Sequence, residues 1–376
     1  MAIAAGAFAD QFATGLAPLA RAADAATNTA TLSPRPFGKG IFGHVYHGGK
    51  TLERPEGIAA LAANPFIAGT QLSYSWVQLE PKPGEYRWDF IEQAMEPWAK
   101  AGKKCWIEVA TASKRDTAER DTAERGGRGA PLWIYEQGVP KIQAESTAKY
   151  PVYWHPKYLE LWGGFIRAFA KKFDGDPRIE FVATGGYSSG HEPNLSAWDN
   201  DTLMDQWKQA GFDGMTPTGV YLTKAIMPIL TLFGDAFRAT PIAQTIHTKR
   251  EFDQAMNAYA SARKYILTSN GMSVKADADS RKKWRERRET LQTKVGYAEW
   301  GPTGRNLNLG GKKNRANARF ATLLEAYQRV LGDDDDPKLR PSSRLSYLPL
   351  GQRKPEVETE AEWNAALAWA HEHLVA

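Results

Sequence analysis

The chain has a single cysteine, Cys105, so it cannot form an internal disulfide or build a cysteine zinc cluster. Cys105 lies inside an apolar run and reads as a buried thiol. No stretch is long and apolar enough to span a bilayer. No G-x-G-x-x-G or G-x-x-x-x-G-K-[ST] follows a strand pattern, which removes the usual nucleotide-phosphate cradles. The first basic residue is Arg21, so the apolar, alanine-rich opening lacks the positive start of an export signal. Ala20-Arg21-Ala22 nevertheless resembles a small-x-small cleavage site. Residues 1–37 read as an N-terminal extension, either a signal peptide and linker or a helical or disordered arm. The expected location is secreted or periplasmic, and cytoplasmic if no signal is present.

The rest of the composition is full. The chain has 376 residues, 42% hydrophobic and 24% charged, enough for a large core. Thirteen Trp, 14 Tyr and 15 Phe supply either that core or a cleft in which rings stack on sugars. The net charge of +5 is largely local, in the run from Arg281 to Arg288. That run reads as the solvated face of a helix, and no nucleic-acid-binding motif accompanies it.

From Gly38 onward the chain alternates. Strand patterns fall at Ile41–Tyr46, Ile67–Val77, Lys103–Ala110, Ile179–Ala183, Pro241–His247, Tyr265–Thr268, Val295–Gly301 and Arg344–Leu350. Each is followed by a helix pattern. The clearest places Tyr158, Leu161, Trp162, Phe165, Ile166, Phe169 and Phe173 on one stripe. Asp116–Arg120 and Asp121–Arg125 are tandem DTAER copies, too short for a repeat fold, in a loop insertion. Sustained alternation implies a parallel sheet. Eight units closing on themselves make a (β/α)8 TIM barrel, here one domain over 38–376 with loop insertions. An open doubly wound sheet is the alternative.

In a barrel the C-terminal strand ends share one mouth. Glu192 follows the fourth strand and Glu299 ends the seventh, so both would face it. Two carboxylates across a mouth suit glycosidic bond cleavage: one protonates the leaving oxygen, the other attacks or stabilises the oxocarbenium-like centre. His44, His47 and His247 also fall at strand ends. With a carboxylate they could hold zinc, but they show no H-E-x-x-H spacing. Hydrogen bonding to sugar hydroxyls is the reading adopted, with no metal and no cofactor. Gln244 and Asn270 are further hydroxyl contacts. Trp76, Tyr187 and Trp300 are sugar platforms or core.

Trp76, Leu79-Glu80-Pro81, Gly84, Tyr86 and Trp88 spell W-x-x-L-E-P-x-x-G-x-Y-x-W. This segment resembles the second-strand region of clan A glycoside hydrolases, above all the barrel domain of the family 42 β-galactosidase type. Ala298-Glu299-Trp300-Gly301 resembles that clan's nucleophile strand end. The resemblance implies that Glu192 is the acid/base and Glu299 the nucleophile of a retaining β-glycosidase. Its partner would be an oligo- or polysaccharide, with neither nucleic acid nor membrane. The clan carries Asn directly before the acid/base, where it binds the sugar 2-hydroxyl. Here the residue is His191, so that contact falls to His191 or is absent. The alternative is a non-catalytic carbohydrate-binding barrel, or a hydrolase of other chemistry.

Overall fold

The computed structural model describes residues 38–44, 46–47, 50–51, 57–112, 129–143, 149–188, 195, 201–245, 250–270, 299–300, 322–324, 327, 347–350 and 358–374. The N-terminal extension, the DTAER loop and the basic run lie outside them.

Eight strands form one sheet: β1 Gly40–His44, β2 Ile67–Ser75, β3 Lys104–Ala110, β4 Ile179–Ala183, β5 Ile242–Thr245, β6 Ile266–Asn270, β7 Glu299–Trp300 and β8 Tyr347–Pro349. Their order across the sheet is β7-β6-β5-β4-β3-β2-β1-β8. Every pairing is parallel. Each strand therefore lies beside its neighbour in sequence, and the eighth returns to pair with the first.

The sheet is curled. β1 and β4 are three strands apart, about 14 Å in a flat sheet at 4.7–4.9 Å a step. Yet the Phe42 and Phe181 rings are 6.5 Å apart, and the Gly38 amide donates to Glu180 Oε1 at 2.7 Å. Phe42, Trp106, Phe181, Ala183, Ala243 and Ile266 form a separate buried cluster drawn from strands alone. A helix-free cluster shared by five strands of one sheet is what bending that sheet around its inner face produces. The two end strands, β7 and β8, come within 8 Å of each other between Cα atoms.

Helices cover the outer face. They are α1 Ile58–Ala63, α2 Trp88–Lys100, α3 Pro156–Phe173, α4 Asp201–Gln209, α5 Met227–Ala236, α6 Glu251–Ala262 and α7 Glu360–His373. No helix among the described residues is long and apolar enough to cross a membrane. On α3, Tyr158, Trp162, Phe165, Ile166, Phe169 and Phe173 of the expected stripe are buried, while Leu161 at its margin is half-buried and packs against the core. Pro156 opens this helix where no N–H is required, and the His155 ring accepts from the Lys157 amide. Asp174 ends it and accepts from the amides of Arg238, Ala239 and Thr240, tying α3 to the turn before β5.

Several boundaries differ from the sequence pattern. The second strand stops at Ser75, because Ser75 and Gln78 form a capping box and start a helical turn over Trp76–Leu79. The helix expected over 218–237 opens as a π turn, Tyr221–Ile226, and becomes α5 at Met227. Pro228, which has no N–H to give, falls at that junction. Two antiparallel hairpins and α4 are additions: Tyr46–His47 pairs with Lys50–Thr51, and Lys141–Gln143 with Lys149–Pro151.

Candidate active site

The β2–α2 segment that carries the glycosidase-like motif is an interior clamp. Glu80 Oε2 accepts from the Trp76 indole at 2.7 Å, and Oε1 accepts from the Gly84 amide at 2.9 Å. The carboxylate thus closes the turn at Pro81. Burial is the main influence on Glu80 and raises its pKa above the ordinary carboxylate range; the two donors pull the other way. Tyr86 stacks on Trp88 at 4.8 Å, and Trp88 stacks on Phe169 of α3 at 5.7 Å. Trp76 itself is fully buried, 5.0 Å from Trp162 and 5.7 Å from Trp133 between ring centroids. It occupies the core and presents no ring face to solvent.

The loop after β4 is held from several sides. Gly186 has φ +98°, and a Cβ there would lie 2.1 Å from the Trp162 indole nitrogen, so only glycine fits. Tyr187 is fully buried. Its hydroxyl donates to Gln244 Oε1 at 2.9 Å, and Thr184 donates to the same oxygen at 2.5 Å. The Gln244 amide donates to the Thr245 carbonyl. The structure thus brings Tyr187 and Gln244 together, bonded to each other and closed to solvent. The Gly186, Tyr187 and Ser188 carbonyls accept from Tyr158, Tyr221 and Thr111 respectively. Sequence reading assigned none of these three donors a role at the site. Tyr158 appeared only as one member of an apolar stripe.

The other candidates lie at or beyond the strand ends. Glu299 and Trp300 make up β7, paired with Ser269 and Asn270 of β6. His191, Glu192 and His247 lie outside the described residues. His44 is the last residue of β1, and His47 belongs to the first hairpin. Among the described residues, no group of three or more His, Cys, Asp or Glu side chains gathers as a metal site would.

Inside the curl, polar groups adjoin the apolar cluster. Thr245 and Thr268 share a hydrogen bond at 2.9 Å. Ser73 and Glu108 are register partners on β2 and β3, and both are buried. Glu108 lies two residues after Trp106 and so shares its inward face. Gln71, the register partner of Trp106, is buried too, and its Oε1 has no hydrogen-bond partner among the described residues. The arrangement is an apolar floor with hydroxyls, an amide and a carboxyl group lining the same enclosure.

No family model matches this sequence, and no curated protein matches it. The folded chain is similar to several solved structures. One is endo-glycoceramidase II from Rhodococcus sp. in a cellobiose-like imidazole complex, with TM-score 0.53 and 13% identity, covering 90% of this chain and 80% of that one. Another is β-galactosidase from the psychrophilic Marinomonas ef1, with TM-score 0.54 and 10% identity, covering 88% and 59%. A third is the catalytic domain of β-amylase from Paenibacillus polymyxa, with TM-score 0.53 and 11% identity, covering 91% and 100%. The likeness is one of fold. All three are glycoside hydrolases, and this chain has their mixed α/β architecture around a curled parallel sheet.

Proposed function

We propose that this chain is a retaining glycoside hydrolase acting on a β-linked oligo- or polysaccharide, built on a closed (β/α)8 barrel. The observation that carries the reading is the all-parallel strand order, eight consecutive strands with the last returned to the first. That order sends every strand end to one side, where a barrel keeps its chemistry. Glu299 belongs to β7, and Glu192 follows the last residue of β4 by nine positions. The approach of β7 to β8 supports closure of the ring. The fold-level likeness to three glycoside hydrolases supports the class.

In this reading Glu192 is the acid/base. It protonates the leaving oxygen as Glu299 attacks the anomeric carbon, giving a glycosyl ester on Glu299. Glu192 then takes a proton from water, which attacks the same carbon and releases Glu299. A spacing of about 5 Å between the two carboxyl groups is required, against 6.5–9.5 Å for inversion. His191, Asn270, His247 and Trp300 are the proposed sugar contacts. The segment before Gly38 is proposed as an export extension.

The test is turnover of a panel of aryl β-glycosides by wild type and by Glu299→Ala. The expected result is cleavage by wild type, none by the variant, and azide rescue yielding a glycosyl azide of inverted configuration. Glu192→Ala is expected to cost about 10²–10⁴-fold on poor leaving groups. Azide rescue giving the retained product would reverse the two roles. One sequence feature favours a second reading: His191 stands where the clan has Asn. A purely carbohydrate-binding barrel would bind glycan unchanged in Glu192→Gln and Glu299→Gln and turn over nothing as wild type.

A further inference from the structure

Three successive carbonyls follow β4, at residues 186–188, and each accepts from a buried side-chain hydroxyl. Tyr158 donates to Gly186 at 2.5 Å, Tyr221 to Tyr187 at 2.5 Å, and Thr111 to Ser188 at 3.2 Å. The donors come from three different places: α3, the π turn before α5, and the residue that follows β3. All three are fully buried. Their rings are fixed in turn. Tyr221 stacks on Phe252 at 5.8 Å, while Tyr158 packs edge-on against Tyr153 at 5.6 Å and Trp76 at 6.2 Å. A buried backbone carbonyl must find a donor, but loops usually find it in neighbouring N–H groups or water. Here the core spends three hydroxyls on one tripeptide.

We propose that Tyr158, Tyr221 and Thr111 are positioning residues for the acid/base, fixing the backbone four residues before Glu192 so that its carboxyl group meets the leaving oxygen. The proposal rests on the glycosidase reading above and deepens it. Proton transfer is effective only within hydrogen-bond reach, and displacement by about 1 Å can cost about 10²-fold. A group set on loop backbone needs that backbone locked from behind. Burial holds both phenols far above their ordinary range, so they stay donors at every assay pH. A changed pH profile on their substitution therefore reports on another group.

The test compares wild type with Tyr221→Phe and Thr111→Val across aryl β-glycosides of one sugar and graded leaving groups. A dinitrophenolate leaves without acid help, whereas a phenolate or alcohol needs it. Expected is a fall in kcat/KM of about 10-fold or more for the poor leaving group, with the activated one held within about 2-fold. Thr111→Ser, which keeps the hydroxyl, should restore the wild-type pattern. An equal loss across the series, or no loss anywhere, overturns the proposal. Amide hydrogen exchange over residues 184–192 supplies a readout independent of turnover, and faster exchange in the variants is expected. Unchanged exchange overturns the anchoring itself. A wild type that cleaves no glycoside while the variants exchange faster instead removes the glycosidase reading, and the acid's role with it. The two failures are thus told apart.

Discussion

The outer and inner faces of the curled sheet divide the residue types between them. Outside, the rings of Trp76, Tyr86, Trp88, Trp162, Phe165, Phe169 and Phe173 run almost unbroken between sheet and helices. Inside, a handful of apolar residues adjoins Thr245, Thr268, Ser73 and Glu108. The outer face can be almost wholly apolar because nothing but packing is asked of it. The inner face gives up some apolar contact for buried hydroxyl and carboxyl groups. Apolar packing and buried polar groups are thus divided between opposite sides of the same strands, and substitutions should separate their contributions.

The largest effect is expected outside. Phe169 touches Trp88, Phe165, Phe173 and Phe237 and is fully buried. Phe169→Ala should lower stability by about 3–5 kcal/mol, read from the denaturation midpoint. A loss under about 1 kcal/mol would mean that the outer packing is far looser than drawn. Glu80→Gln comes next. An amide offers one oxygen where the carboxylate offers two, so either Trp76 or Gly84 loses its acceptor, at about 1–3 kcal/mol. The sign with pH follows from the raised pKa of Glu80. Its contribution is fully present below the ordinary carboxylate value and is lost as pH rises through the folded one. The stability advantage of wild type over Glu80→Gln should therefore shrink with rising pH; an advantage that grows would contradict the raised pKa. The smallest effect is expected inside. Thr245→Val or Thr268→Val alone strands one hydroxyl, at about 0.5–1.5 kcal/mol, and the pair together should be nearly neutral. A double-mutant cycle with no coupling would break the contrast by denying the inner hydrogen bond.

Much of this architecture is legible in the sequence because each cue is local. The stripe on α3 repeats at helical spacing, and β4 is a short, mostly apolar run, broken only by Glu180, between Asp176-Pro177 and Gly185-Gly186. What is not legible depends on tertiary partners. Helix α4 shows only Leu203, Met204 and Trp207 in a polar stretch, a signal that becomes clear once Trp207 is seen stacked on Tyr153. The hairpin at Lys141–Gln143 has no turn signature, and its pairing depends on a partner several residues on. For the candidate site, sequence places Glu192 and Glu299 after strands. It cannot say which rings at a strand end face inward. Trp76 reads equally as platform or core until Glu80 is seen to bind its indole. The donors to carbonyls 186–188 are invisible for the same reason, since a backbone acceptor leaves no mark in the sequence.

The pairing of β1 with β8 has a consequence for how the chain is made. Gly40 finds Tyr347 only after about 300 further residues have been added. At roughly 5–20 residues per second, synthesis leaves the outer edge of β1 unpaired for roughly 15–60 s. During that interval its open N–H and C=O groups are a template for any passing strand. Chaperone dependence and yield on expression should accordingly respond most to changes in β8, which covers that edge, well before they respond to changes at the ends of the other strands.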